Sequence, residues 1–224
     1  MAQLAQKGLT PTHAGYLVKH RWLLHLGHNA YMLPGDNLSL EGCLGYLSHR
    51  TPSLHVGGRT ALSWRGIRHN LAFRETTELW GTVQTRIPDW LTERFPCRYQ
   101  VTKIFDDALP EGLGISALPN GRPDVAVSGP ERALLEVLSD VGRVGTLEDA
   151  SNLLESARHL REPLLGELLA HVARIKVIRL AHVLSEKLEL AWAPLARENS
   201  ARLGGAKRWI TVSKTGERLV LKRS

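Results

Sequence analysis

The chain has 224 residues, 43% hydrophobic and 23% charged, with a formal net charge of +7. That is enough for one large or two small cores, and it excludes a disordered chain and a disulfide scaffold, since there are two cysteines and no C-x-x-C. No apolar run approaches the ~20 residues of a membrane span, and no apolar leader precedes Thr10, so a cytoplasmic protein is expected.

In chain order, residues 2–8 read as a short helix ending at Gly8. Thr10 and Pro11 then supply a cap and a first helical residue, with Ala14, Leu17 and Val18 facing inward. Thr12, His13, Tyr16, Lys19 and His20 are left on the outer face. Residues 22–26 and 30–33 read as strands joined by Gly27-His28-Asn29, types that tolerate a hairpin turn. Helix, helix and hairpin in that order suggest a winged helix-turn-helix. In such a unit the second helix enters the major groove and the wing touches backbone or minor groove. Thr12, His13, Tyr16 and Lys19 are then the reading residues, and His20, Arg21 and His28 hold phosphates. The same segment also reads as a helix and hairpin docked on the body, with these side chains merely solvated. A helix over residues 38–47 would cover the exposed side of this unit.

Further along, strands are predicted over residues 53–56, 79–83 and 99–105, and helices over 59–65 and from Pro88. A tight hairpin is predicted at Asn120-Gly121. Ser128-Gly129-Pro130-Glu131 matches a capping box, and Thr146-Leu147-Glu148-Asp149 repeats the pattern. Pro163 opens another helix. Val177, Leu180, Ala181, Leu184 and Leu188 mark a further one, whose other side carries Lys176, Arg179 and Lys187. A basic hairpin over residues 207–212 and 218–222 closes the chain. The fold class is therefore α+β, with an N-terminal winged helix-turn-helix over residues 1–95 and a mixed, helix-rich α/β domain over 96–224.

Charge follows this division. Residues 1–95 hold ten Lys and Arg against six Asp and Glu, residues 96–196 eleven against fourteen, and residues 197–224 eight against two. Two basic ends around a slightly acidic middle favour a polyanionic partner at the ends. Signals for catalysis are absent. There is no H-E-x-x-H, P-loop or G-x-S-x-G, and Pro123-Asp124 has no Glu-x-Lys or Asp-x-Lys to complete a nuclease site. A zinc site built from His20, His25, His28 and Cys43 lacks recognisable ligand pairs. Gly57-Gly58 before a helix can bind an anion but more often makes a sharp turn. Neither an enzyme nor a cofactor is expected.

Five segments in order, GYLVKHRWLLHLGHNAYML, LHVGGRTALSWRGIRHNL, VSGPERALLEVLSD, KVIRLAHVLSEKLELAWAPL and ARLGGAKRWITVS, resemble the AbiEi-type antitoxins of type IV (abortive infection) toxin–antitoxin systems. The resemblance covers nearly the whole chain. It implies a transcriptional repressor whose winged helix binds inverted repeats in its own operator DNA. It also implies a C-terminal domain that counteracts a nucleotidyltransferase toxin, with direct contact left open and tRNA as a further possible ligand. Residues 12–21 match the family's recognition helix, and Lys176, Arg179, Lys207 and Arg208 match basic positions of its antitoxic surface. The wing tip departs from the pattern, with His28-Asn29 where relatives carry Arg-Gly. A protein- or RNA-binding module without an operator role is the alternative.

Overall fold

The computed structural model describes residues 8, 10–68, 76–157, 159–203, 209–212 and 218–221. The expected helix over residues 2–8 lies, but for Gly8, outside them, so the first half of a helix-turn-helix is not part of the description.

Helix α1 (Pro11–Lys19) starts as its sequence dictates: the Thr10 hydroxyl accepts from the His13 amide at 3.2 Å and Pro11 stands at the first position. Ala14 is fully buried beneath it. Arg21 takes a left-handed conformation (φ 60°) and turns the chain into the hairpin β1 (Leu24–Gly27) and β2 (Ala30–Met32), whose own turn uses Asn29 at φ 57°. Helix α2 (Leu40–Ser48), capped by Ser39, does more than cover this unit. Its Cys43, Leu44 and Leu47 join the core shared with the sheet and the later helices.

Strand β3 (His55–Val56), helix α3 (Gly58–Trp64), strand β4 (Thr77–Gly81), the short helix α4 (Asp89–Thr92), and strands β5 (Cys97–Val101), β6 (Ile115–Ser116) and β7 (Val127–Ser128) follow. They form one sheet in the order β5-β4-β3-β7-β6, parallel at β4–β5 and β3–β7 and antiparallel elsewhere. All five residues of β4 are buried between β3 and β5, including the polar Thr77 and Glu78, and Glu78 is paired with Arg98 at 3.1 Å. The expected division at residues 95/96 falls between β4 and β5, which are hydrogen-bonded neighbours in this sheet.

Helices α5 (Pro130–Asp140), α6 (Leu147–Ser156), α7 (Glu162–Ala170), α8 (Ile175–Lys187) and α9 (Ala193–Leu203) complete the body, and β8 (Trp209–Val212) and β9 (Arg218–Leu221) pair as an antiparallel hairpin. Helix α5 is the hub: nine of its eleven residues are buried, and it packs on α3, α6, α7 and α8. At Asn120-Gly121 there is a local turn, Gly121 N to Leu118 O at 3.0 Å, but the strands it was expected to join are replaced by β6 and β7, with ten residues between them.

The capping box at Ser128 does not form. Ser128 is the buried end of β7, Gly129 caps α5 without a side chain, and Pro130 alone sets the start. The reason is a stronger demand on both side chains. The Ser128 hydroxyl donates to Glu136 at 3.0 Å, while Glu131 accepts from the Arg161 amide, Nε and Nη2 at 2.8, 3.0 and 2.9 Å. At Thr146 both halves of the box with Asp149 are present, the Arg59 guanidinium standing no closer to Asp149 than 4.0 Å.

Glu136, 1% exposed, is held by four elements. Its Oε1 lies 3.0 Å from His55 Nε2 of β3 and 3.3 Å from Arg132 Nε of α5, and Oε2 accepts from Gly58 N at the head of α3 at 2.8 Å, in addition to the Ser128 bond from β7. One residue on, Arg59 N donates to Glu78 of β4 at 2.9 Å. So the anions at this helix N-terminus are the protein's own carboxylates. The two glycines are what allows it. A Cβ on Gly57 would lie 2.4 Å from Glu136 Oε2, and one on Gly58, which has φ 55°, 2.2 Å from Glu78 Oε2. A second network joins β5 to α5: Asp140 accepts from Arg98 (2.8 Å), Gln100 (3.1 Å) and Arg143 (2.6 Å).

Burial pushes the Glu136 carboxyl up, but the His55 hydrogen bond and the charges of His55 and Arg132 outweigh it and hold it below the usual carboxylate range. Burial is likewise outweighed at Asp140, by the bonds from Arg143, Arg98 and Gln100. Carboxylates depressed by folding contribute stability above their unfolded values of about 4, and this contribution is lost as pH falls through the folded values. Two outcomes are expected in urea titrations. Glu136→Ala costs about 3–5 kcal/mol at pH 7, because three donors and an arginine lose a buried partner. The wild-type midpoint drops on acidification below pH 4, and Glu136→Gln, which carries no proton-linked charge there, shows a smaller drop.

Candidate nucleic-acid interface

Between Thr10 and Leu33 there is no aspartate or glutamate, while Lys19, Arg21 and four histidines fall in that span. Thr12, His13, Tyr16, Lys19 and His20 all reach solvent from α1, Arg21 does so at the corner, and His28 does so at the hairpin turn. Helical spacing stacks the rings: Tyr16 lies 6.4 Å from His13 and 4.3 Å from His20 between centroids, in tilted contact. Tyr16 is 57% and Trp22 70% exposed, so this face presents flat π surfaces beside two permanent cations. Pairing in the hairpin sets His25 against Tyr31 at 5.3 Å. An acid-free, cation-bearing helix edge next to a hairpin is suited to a polyanion, since no carboxylate in the segment repels phosphate.

The hairpin is fastened to the body by residues that the sequence reading did not single out. Tyr46 of α2 donates its hydroxyl hydrogen to the Asn29 carbonyl at 3.2 Å, and the Trp90 ring of α4 meets Tyr46 edge-on at 5.9 Å. A Cβ on Gly27 would stand 2.5 Å from Trp90 Cδ1, which fixes glycine at that position. The only local signal was Gly27 itself, a glycine one residue ahead of the turn proper.

The basic C-terminal positions are placed otherwise. Lys176 donates from Nζ to the carbonyls of Ser139 (2.8 Å) and Val141 at the end of α5, and Arg174 donates to the Ser139 hydroxyl. Burial first, and then the neighbouring Arg174 charge, pull the Lys176 ammonium down to about 8. Arg179 was expected on the outward side of its helix, yet it is 7% exposed. Helix α8 is packed by α5, α6 and α9, and burial extends past its leucine stripe to Arg179, His182 and Ser185, while Val183, Glu186 and Lys187 stay exposed. Strand β9 lies against α8. Lys207 and Arg208 fall outside the described residues.

Other chemistries find little to build on. A cavity of about 760 Å³ opens over His55, Trp80, Phe105, Arg132 and Glu136, where the acid, histidine and arginine are engaged with one another as described above, and at its rim Lys103 pairs with Asp107 and Asp106 with His171. Both cysteines are free, and burial pushes the Cys97 thiol up to about 11, away from the reactive thiolate. Among the described residues no group of three or more His, Cys, Asp or Glu is placed to hold a metal ion, and no helix is long and apolar enough to cross a membrane.

The family model described as "Transcriptional regulator, AbiEi antitoxin N-terminal domain" matches residues 1–73, and the one described as "Transcriptional regulator, AbiEi antitoxin, Type IV TA system" matches residues 74–222. The crystal structure of the RV2827C protein from Mycobacterium tuberculosis is similar in fold, with a TM-score of 0.59 and 15% identity over 94% of this chain and 75% of that one. No curated protein sequence matches. The chain belongs to the AbiEi antitoxin family of transcriptional regulators of type IV toxin–antitoxin systems.

Proposed function

We propose that this antitoxin represses its own operon by holding operator DNA against α1 and the β1–β2 hairpin, and counteracts a nucleotidyltransferase toxin through the part of the chain that follows. The supporting observation is the acid-free span from Thr10 to Leu33, whose helix edge carries Lys19, Arg21 and an exposed ring stack. In this reading Thr12, His13, Tyr16 and Lys19 meet base edges in the major groove, while His20, Arg21 and His28 hold phosphates. A two-fold pair of such units would account for inverted repeats. Countering the toxin is inferred from family membership and not from Lys176 or Arg179, whose polar groups are directed into the body.

The exposed Trp22, Leu24 and Leu33 favour a second use of the same surface, as a protein-binding module. A gel shift with the DNA upstream of the gene, run beside a pull-down with the neighbouring gene product, separates the two. Retention of the toxin without any DNA shift would support the protein-binding reading and reject the operator-binding one.

Fluorescence anisotropy over a salt series tests the DNA contacts. Lys19→Ala and Arg21→Ala are each expected to weaken binding to every duplex and to lower the slope of log K against log salt by about 0.9. Unchanged affinity and slope in both would reject the assignment. Lys176→Ala should leave DNA affinity unchanged and lower stability by about 1–3 kcal/mol, because two carbonyls at the end of α5 lose their donor. Circular dichroism melts check this.

A further inference from the structure

The hairpin turn, the part of a wing that comes nearest to a backbone, carries His28 and Asn29 and no permanent cation. We propose that Arg50, in the body after α2, supplies that charge as a phosphate-binding residue, set at the turn by Tyr46. The inference rests on the DNA reading above.

Three observations carry it. Arg50 Nη1 donates to the Tyr46 hydroxyl, and that hydroxyl donates to the Asn29 carbonyl, so the guanidinium is two hydrogen bonds from the turn. The Arg50 Cζ also lies 5.3 Å from the Tyr46 ring centroid, a cation–π contact that limits where the group can go. Finally, Arg50 is exposed and has no carboxylate partner among the described residues. Asp124, which lies against α2 at Gly45, is already held by Arg122 in two bonds of 2.9 and 2.7 Å, with His49 at 3.9 Å.

The chemistry suits a phosphate. A guanidinium has five N–H donors in a rigid fork, and one bond to Tyr46 leaves a free edge for a bidentate contact. Because the ring and the hydroxyl already hold the group, little rotamer freedom remains to be lost on binding. The phenol thus has two tasks, fixing the turn through Asn29 and fixing the cation beside it. Trp90, packed on both Tyr46 and Gly27, keeps the assembly from shifting.

The test uses the full-length protein and a duplex from upstream of its gene, in an anisotropy series from low to high NaCl. Arg50→Ala is expected to bind 5- to 10-fold more weakly and to lower the salt slope by about 0.9, while Arg50→Lys keeps the slope and regains part of the affinity. Tyr46→Phe should keep the slope and lose several-fold in affinity, since the charge remains but its anchor does not. Melting curves confirm folding of each variant, and Arg50→Lys preserves a readout if the alanine variant is unstable. Wild-type slope and affinity in Arg50→Ala, with Lys19→Ala still weakened, overturn the role of Arg50 alone. Tyr46→Phe indistinguishable from wild type overturns the anchoring. If the wild-type protein binds no duplex, both the DNA reading and this inference fall.

Discussion

A single buried carboxylate fixes how this body is assembled. Glu136 has no access to water, so its charge is tolerable only if protein donors replace hydration. Those donors come from β3, β7, the head of α3 and α5 itself, and meeting them at hydrogen-bond distance fixes the relative positions of the sheet and two helices. The identities around it follow. Serine at 128 and histidine at 55 supply donors, and glycine at 57 leaves room for the carboxylate. The hydrophobic core supplies most of the drive to collapse, and the carboxylate and its donors select one arrangement among the compact ones that core would permit.

The same need for partners divides the cations of the protein into two groups. In the body many are spent on structure: Arg98 and Arg143 on Asp140, Arg161 on Glu131, and Arg174 and Lys176 on the end of α5, with Arg50 an exception. Around α1 and the hairpin there is no acid in the segment to consume them. A net charge alone does not distinguish these groups, since a neutralised arginine and a solvated one count equally. The distinction matters for function because only cations without such partners can release counterions from a nucleic-acid backbone.

This division also sets what was legible in the sequence. Features governed by neighbours in the chain were readable: the Thr10-Pro11 start, the His28-Asn29 turn, the Thr146 box, and the closing hairpin, each decided within four or five residues. Features decided by a distant partner were not. Ser128 matched a cap perfectly, but Glu136 lies one helical stretch away and only the fold shows that it points back at the hydroxyl. Arg179 sat opposite a leucine stripe, and periodicity reports which side is apolar without reporting how many elements pack on the helix. Tyr46 looked like one more residue on a covering helix because its partner, the Asn29 carbonyl, is a backbone atom that carries no sequence signal.

In the proposed function, contact with DNA centres on the amino-terminal helix and hairpin, with Arg50 held beside the turn, while Lys176 and Arg179 of α8 serve the interior. Hydrogen–deuterium exchange of the full-length protein, with and without duplex from upstream of its gene, addresses this residue by residue. Slower exchange over residues 11–33, with residues 174–187 unchanged, is the predicted pattern. Protection centred on residues 174–187, with 11–33 unaffected, would contradict it.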